Sequence, residues 1–227
     1  FGQELELAGP PIEAPATLRY EVRNVVDEPV GQAECTLAPA YSVECQVEQE
    51  AFEAQTRSSY YNFDATMLQF RAEWAAGEVA LASVAGRRES GGRVVSFDVQ
   101  GDEDGSARMV VTTPDGPAEP VEAEAPAFFE HSWPWRMGGL PFSLGYARTV
   151  QLLHPYPTTR GEEELGPRAE AADVVVVGAE PLAVPAGNFV AWKVTLGDQA
   201  AWYDVDAPHH LLRYDDGVLS YRLAAAD

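Results

Sequence analysis

The sequence predicts an all-β fold, a strongly curved antiparallel sheet or partial β-barrel. Three observations carry that expectation. Apolar and polar residues alternate with period two over most of the chain, as in strands with one buried face. Turn signals built on Gly, Pro and Asp recur at intervals of roughly 8–14 residues, the spacing of a barrel or sandwich rather than of βαβ units. The C-terminal run from Glu180 to Leu223 reads as four or five consecutive strands.

That run sets the pattern. Pro185-Ala186-Gly187 fits a three-residue hairpin loop, with Pro presetting φ and Gly supplying the left-handed residue. Val190, Trp192, Val194 and Leu196 then share one face, opposite Lys193 and Thr195. Gly197-Asp198 breaks the strand, and Ala200 to Val205 forms the next. A two-residue Asp216-Gly217 turn would place Leu212, Tyr214, Leu219, Tyr221 and Leu223 on one face and Arg213, Asp215, Ser220 and Arg222 on the other. A turn one residue longer would mix the faces.

Toward the N-terminus, residues 1–15 are punctuated by Pro and Gly and form an extended leader, in which Gln3 to Leu7 is suited to a sheet edge. Residues 16–227 are expected to be a single β domain. Strands are predicted at Thr17–Arg23, on both sides of a hairpin centred on Ala40, near Ser59–Phe63 and at Thr66–Trp74. A turn at Ala76-Gly77 leads to Val79–Val84, Gly91-Gly92 to Val94–Val99, and an acidic loop from Gly101 to Gly105 to Ala107–Thr113. The acidic, Pro-rich stretch 117–126 is taken as a loop inside the domain. Tyr146–Leu153 and Asp173–Val177 are further strands, separated by a charged loop from Pro155 to Glu170. About a dozen strands result.

Composition narrows the partners. The chain has 227 residues, 46% of them hydrophobic, and a formal net charge of −21. Such a surface excludes nucleic acid, whose phosphates need a basic footprint. No apolar run reaches the 18 residues a membrane-spanning helix requires. Cys35 and Cys45 are the two cysteines. The Ala40 hairpin sets them opposite one another, where Cα atoms at a non-hydrogen-bonded site lie about 4.5 Å apart, within reach of a disulfide. The alternative is a pair of buried thiols; a CxxC redox or metal site is ruled out by the spacing. A bonded pair implies an extracytoplasmic, oxidising compartment.

No motif identifies a reaction. Nucleophile elbow, P-loop and HExxH sequences are absent, so no catalytic residue, cofactor or metal ligand is assigned. His209 and His210 sit beside Asp204 and Asp206, but neighbours on a strand point to opposite faces, and a connecting loop is the plainer reading. Asp102, Glu103, Asp104, Asp215 and Asp216 lack the spacing of an EF-hand and read as solvated hairpin tips. The most informative stretch is aromatic: Phe128, Phe129, Trp133, Trp135, Phe142 and Tyr146 fall within twenty residues. Either these rings form a lid or wall of an apolar pocket enclosed by the curved sheet and able to hold a lipid-like ligand, or they plug the open end of the barrel as core.

The motifs Leu140-Pro141 with Gly145-Tyr146, Val184-Pro185-Ala186-Gly187 with Phe189, Trp192 and Val194, Trp202-Tyr203, and Pro208 with Leu211, Arg213 and Tyr214 resemble a group of uncharacterised bacterial exported proteins, a domain of unknown function. The resemblance covers Phe128 to Leu223. It implies a curved antiparallel sheet closing toward a barrel, distantly similar to bacterial lipoprotein carriers, and it brings no catalytic residues. The expectation is therefore a non-enzymatic secreted or cell-envelope protein that binds an apolar or amphipathic molecule in the sheet's concave face. Two alternatives stand beside it: a structural or adhesive surface protein that self-associates through its N-terminal strand, and a hydrolase with an unidentified carboxylate or His site.

Overall fold

The computed structural model describes residues 15–39, 42–55, 60–74, 81–140, 142–156, 158–160 and 163–227. The leader, the apex of the Ala40 hairpin and the Ala76-Gly77 turn lie outside these residues. Among them the architecture is nearly all β.

The first half of the chain contributes β1 (Ala16–Arg23), β2 (Pro29–Ala38), β3 (Ser42–Gln49), β4 (Phe52–Gln55), β5 (Tyr60–Phe63), β6 (Thr66–Trp74), β7 (Leu81–Ser90), β8 (Arg93–Gly101), β9 (Ala107–Thr113) and β10 (Gly116–Pro117). A crossing segment follows, with β11 (Val121–Ala123), β12 (Ala127–Phe129), a single helical turn α1 (Trp133–Arg136) and a 3-10 turn at Met137–Gly139. The second half contributes β13 (Ala147–His154), β14 (Thr158–Arg160), β15 (Glu163–Leu165), β16 (Arg168–Val184), β17 (Gly187–Leu196), β18 (Gln199–Asp204), β19 (Leu211–Asp215) and β20 (Ser220–Ala226).

Sixteen strands form one sheet, in the order β10-β9-β8-β7-β6-β3-β2-β1-β20-β19-β18-β17-β16-β13-β12, with β11 also on β9. Each half is a meander, and the two join where the first strand pairs with the last. Neighbours are antiparallel except β12 and β13, which run parallel because β12 belongs to the crossing segment. The sheet is bowed but does not close into a barrel. Its two ends are linked instead by the chain between β11 and β12: the Ala127 amide donates to the Gly105 carbonyl at 3.0 Å, and the Gln151 amide to the Pro126 carbonyl at 2.9 Å. The hairpins β4–β5 and β14–β15 leave the sheet as separate two-stranded pieces.

The alternation read from the sequence holds through most strands. Leu18, Tyr20 and Val22, then Leu68, Phe70, Ala72 and Trp74, and then Leu212, Tyr214, Tyr221 and Leu223 are all buried. Each of the Val, Leu and Phe side chains among these, fully removed from water, contributes about 1.5–3 kcal/mol. Cys35 faces Cys45 and Leu37 faces Val43, and the two sulfurs are bonded.

Several expectations are corrected. Twenty strands among the described residues, sixteen of them in the main sheet, replace the dozen, because the short β4, β10, β12, β14 and β15 were not expected and β11 lies in the stretch 117–126 taken as loop. In addition, β7 runs on to Ser90 and β16 spans 17 residues. The extension of β7 passes through Gly86, whose missing side chain makes room for a ring: a Cβ there would lie 2.5 Å from both the Phe97 ring and the Gln69 carbonyl oxygen. The charged stretch 155–170 contains β14, β15 and the start of β16 rather than loop alone. The Pro185 turn has two residues, since Val184 pairs with Gly187. The last hairpin has a four-residue loop, with Asp215 opposite Ser220 and Tyr214 opposite Tyr221. Asp216 explains it: Oδ1 accepts the amides of Val218 at 2.9 Å and Leu219 at 2.7 Å, closing a wider turn than Asp-Gly alone would make. The slip is by two residues, so the faces stay as expected. Val190 is 50% exposed while Ala191 is buried; β16 carries a bulge between Val176 and Gly178, opposite Val194 and Lys193, and a bulge changes strand twist and facing.

Candidate functional site

The crossing segment lies on the concave side, and its aromatic residues are packed there. Phe128, Phe129, Trp133, Trp135 and Tyr146 are buried and Phe142 is half-buried. Phe129 meets Phe97 at 4.9 Å between ring centroids, Trp135 meets Phe70 at 5.8 Å and Trp133 meets Tyr214 at 5.8 Å. Phe142 reaches the far side, 5.9 Å from Trp192 and 5.4 Å from Tyr203. Some polar tips are met as burial requires: Trp133 Nε1 and the Tyr214 hydroxyl both donate to Gln199 Oε1, and the Tyr203 hydroxyl donates to the Pro134 carbonyl at 2.6 Å. Trp135 Nε1 and the Tyr146 hydroxyl, by contrast, are buried without a hydrogen-bond partner. These contacts give the rings the role of core.

An open volume lies beside them, toward the end of the bowl where β3 gives way to β6 and β13 to β16. It measures about 560 Å³ and is lined by none of the six aromatic residues singled out above. One part of its wall is apolar, with Val47, Phe63 and Leu68 from the first half and Val218 and Leu219 from the last hairpin. Another is polar: Glu130 and His131 of the crossing segment, His154, Tyr156, Arg168 and Glu170 at the β13–β16 end, Arg88 of β7, and Asp216. A larger groove of about 710 Å³ beside Gln32, Glu48 and Met67 is more open to solvent and contains none of this chemistry.

Strand register delivers the polar groups inward. Arg88 pairs with Leu68 and Val95, and Arg168 pairs with His154, so charged side chains occupy positions where the alternation elsewhere puts apolar ones. His154 Nδ1 lies 3.1 Å from Glu130 Oε2, and its Nε2 approaches Glu170 Oε1 at 3.3 Å without the alignment of a hydrogen bond. Arg168 Nε donates to Glu170 at 3.2 Å. The Arg88 guanidinium lies 4.8 Å over the Tyr156 ring, a cation–π contact. Among the described residues lining the cavity, four buried polar atoms have no hydrogen-bond partner: the Tyr156 hydroxyl, Arg168 Nη1, His131 Nε2 and His154 Nε2.

Burial and neighbouring charge divide the titrating groups. Burial pushes Asp216 up to about 6, against the pull of the Leu219 and Val218 amides, with the Glu130 charge adding to the rise. Burial pushes His131 down to about 4, so its ring is neutral near pH 7. Glu130 is held below the usual carboxylate range: burial acts against this but is outweighed by the His154 hydrogen bond and by the charges of His131, His154 and Arg168. One cavity thus holds a carboxyl that keeps its proton unusually long and another that gives it up early.

His209 and His210 lie in the loop between β18 and β19. His209 Nδ1 is 2.8 Å from the Asp204 carbonyl and its ring meets Phe142 edge-on at 5.0 Å. Asp104 accepts from the Ser106 amide and hydroxyl within its own turn. Among the described residues no three metal-ligating side chains converge, and no helix is long and apolar enough to cross a membrane.

No protein-family model matches the chain, and no curated protein matches it. Among solved structures, the crystal structure of a DUF1089 family protein from Pseudomonas aeruginosa is similar over 83% of this chain and 91% of its own, with 16% identity and a TM-score of 0.46.

Proposed function

We propose that this chain is an extracytoplasmic binding protein that holds a small amphipathic molecule in the concave cavity of its sheet. The observation that carries the reading is the cavity itself. Its volume of about 560 Å³ falls in the range of small-molecule sites, and its walls divide into an apolar part and a small set of convergent polar groups, as such sites do. The ligand position moves from the aromatic segment to the space beside it, because the segment's own rings are already in contact with the sheet. The Cys35–Cys45 disulfide supports the compartment, since such bonds persist where the milieu is oxidising.

Binding of a neutral apolar fluorophore, N-phenyl-1-naphthylamine, tests the reading. Saturable binding is expected, and Val218→Trp, which places an indole in the cavity from a half-buried loop position, is expected to weaken it at least tenfold without loss of the folded near-UV signal. Equal binding by the variant would place the dye elsewhere and end the proposal.

The divided carboxyls Asp216 and Glu130 support a second reading, hydrolysis by a general acid and base. It requires turnover of 4-nitrophenyl esters or glycosides that disappears in both Asp216→Asn and Glu130→Gln. Turnover untouched by either change would remove it.

A further inference from the structure

We infer that the polar end of the cavity selects an uncharged oxygen acceptor, the carbonyl of an ester or amide, over a carboxylate or an ammonium group. The inference rests on the binding reading above and adds the chemistry of the ligand's head.

It starts from hydrogen bonds left unmade. Tyr156 is 7% exposed, and its hydroxyl has no partner. Arg168 commits Nε to Glu170 while its Nη1 is buried and unpaired. His131 Nε2, equally buried, is unpaired as well. A guanidinium nitrogen can only donate and a tyrosine hydroxyl donates readily, so the cavity's unmet demand is for lone pairs. An occupant that brings them recovers what these buried groups lost on leaving water.

The acceptors in the same cavity are mostly engaged. Glu130 faces His154, Glu170 takes the Arg168 bond, and Asp216 accepts two backbone amides; Asp198 is exposed to solvent. An ammonium head would find no unengaged buried carboxylate and would leave the orphaned donors unmet. Charge argues equally against an anion. Four carboxyl side chains, Glu130, Glu170, Asp198 and Asp216, face two guanidinium groups, Arg88 and Arg168, so a carboxylate head would enter a field of its own sign. A carbonyl supplies two lone pairs and no net charge. Its alkyl portion would lie along Val47, Phe63 and Leu68.

The test is displacement of bound N-phenyl-1-naphthylamine at neutral pH by octanoate, its methyl ester and octyltrimethylammonium. The methyl ester should compete at least tenfold better than either ion. Equal or reversed ranking overturns the inference and leaves the cavity as a binding site, whereas failure of the fluorophore itself to bind removes the underlying reading. Tyr156→Phe provides the second arm. It should raise the melting temperature of the ligand-free protein by removing a buried hydroxyl with no partner, and lower affinity for the ester about fivefold relative to the fluorophore. A lower melting temperature, or unchanged ester affinity, would show that the hydroxyl is satisfied without a ligand, and the inference would fall.

Discussion

At the scale of single residues, the groups facing the cavity tie stability to pH in two opposing ways. Asp216 titrates at about 6 in the folded protein and near 3.9 in an unfolded chain. Between those values only the folded form keeps the proton, so this residue's contribution falls as pH rises and is least favourable above about pH 6. His131 titrates at about 4 when folded and near 6.5 when unfolded. Its contribution therefore rises with pH across much the same window, and the two slopes offset one another in the native protein. Asp216→Asn keeps the side-chain oxygen that accepts the Val218 and Leu219 amides and removes one slope. The variant should be more stable than the native chain by about 1–2 kcal/mol above pH 6.5, less than the full shift implies because Asp216 is only partly buried. Its own stability should climb steadily from pH 4 to 6.5. Urea titrations at half-unit steps would show this, and parallel curves for the two proteins would contradict it. The sequence revealed which aromatic residues are buried, because ring density and alternation both point inward. It did not reveal Arg88 and Arg168, which lie beyond the stretches where alternation alone marks a strand, although both share the inward parity of their strands.

At the scale of elements, the disulfide joins two adjacent strands inside the sheet rather than a loose end. The β2–β3 pairing runs from Gly31 with Gln49 to Ala38 with Ser42, so it is established on both sides of the bond. Cys35→Ser with Cys45→Ser should therefore retain the fold and lose about 2.5–3 kcal/mol, the cost assigned by chain entropy to opening so short a loop. A lower urea midpoint with unchanged far-UV circular dichroism would agree; collapse of the spectrum would not. This hairpin was fully legible, because cysteine spacing and apolar parity select the same register. The Tyr214–Tyr221 hairpin was legible in facing but not in register. Its hydrophobic pattern repeats every two residues, so only the Asp216 carboxylate and the stacking of Tyr214 on Tyr221, 5.4 Å between centroids, distinguish one even slip from another.

At the scale of the whole molecule, one buried cluster extends from Leu18 to Leu223 and takes side chains from both meanders and from the segment between them. A single calorimetric transition is expected, with equal van't Hoff and calorimetric enthalpies; two resolved peaks would show that the meanders melt apart. Fold class was readable because strand periodicity is local. The pairing of β1 with β20 and the parallel entry of β12 were not, since contacts between distant parts of a chain leave no mark in a short window. That seam also sets an order of events during synthesis. β1 lies between β2 and β20, so its edge toward β20 stays unpaired until the rest of the described sheet has been made. Long-range closure of this kind is slow, and until β20 arrives the growing sheet carries a bare inner margin.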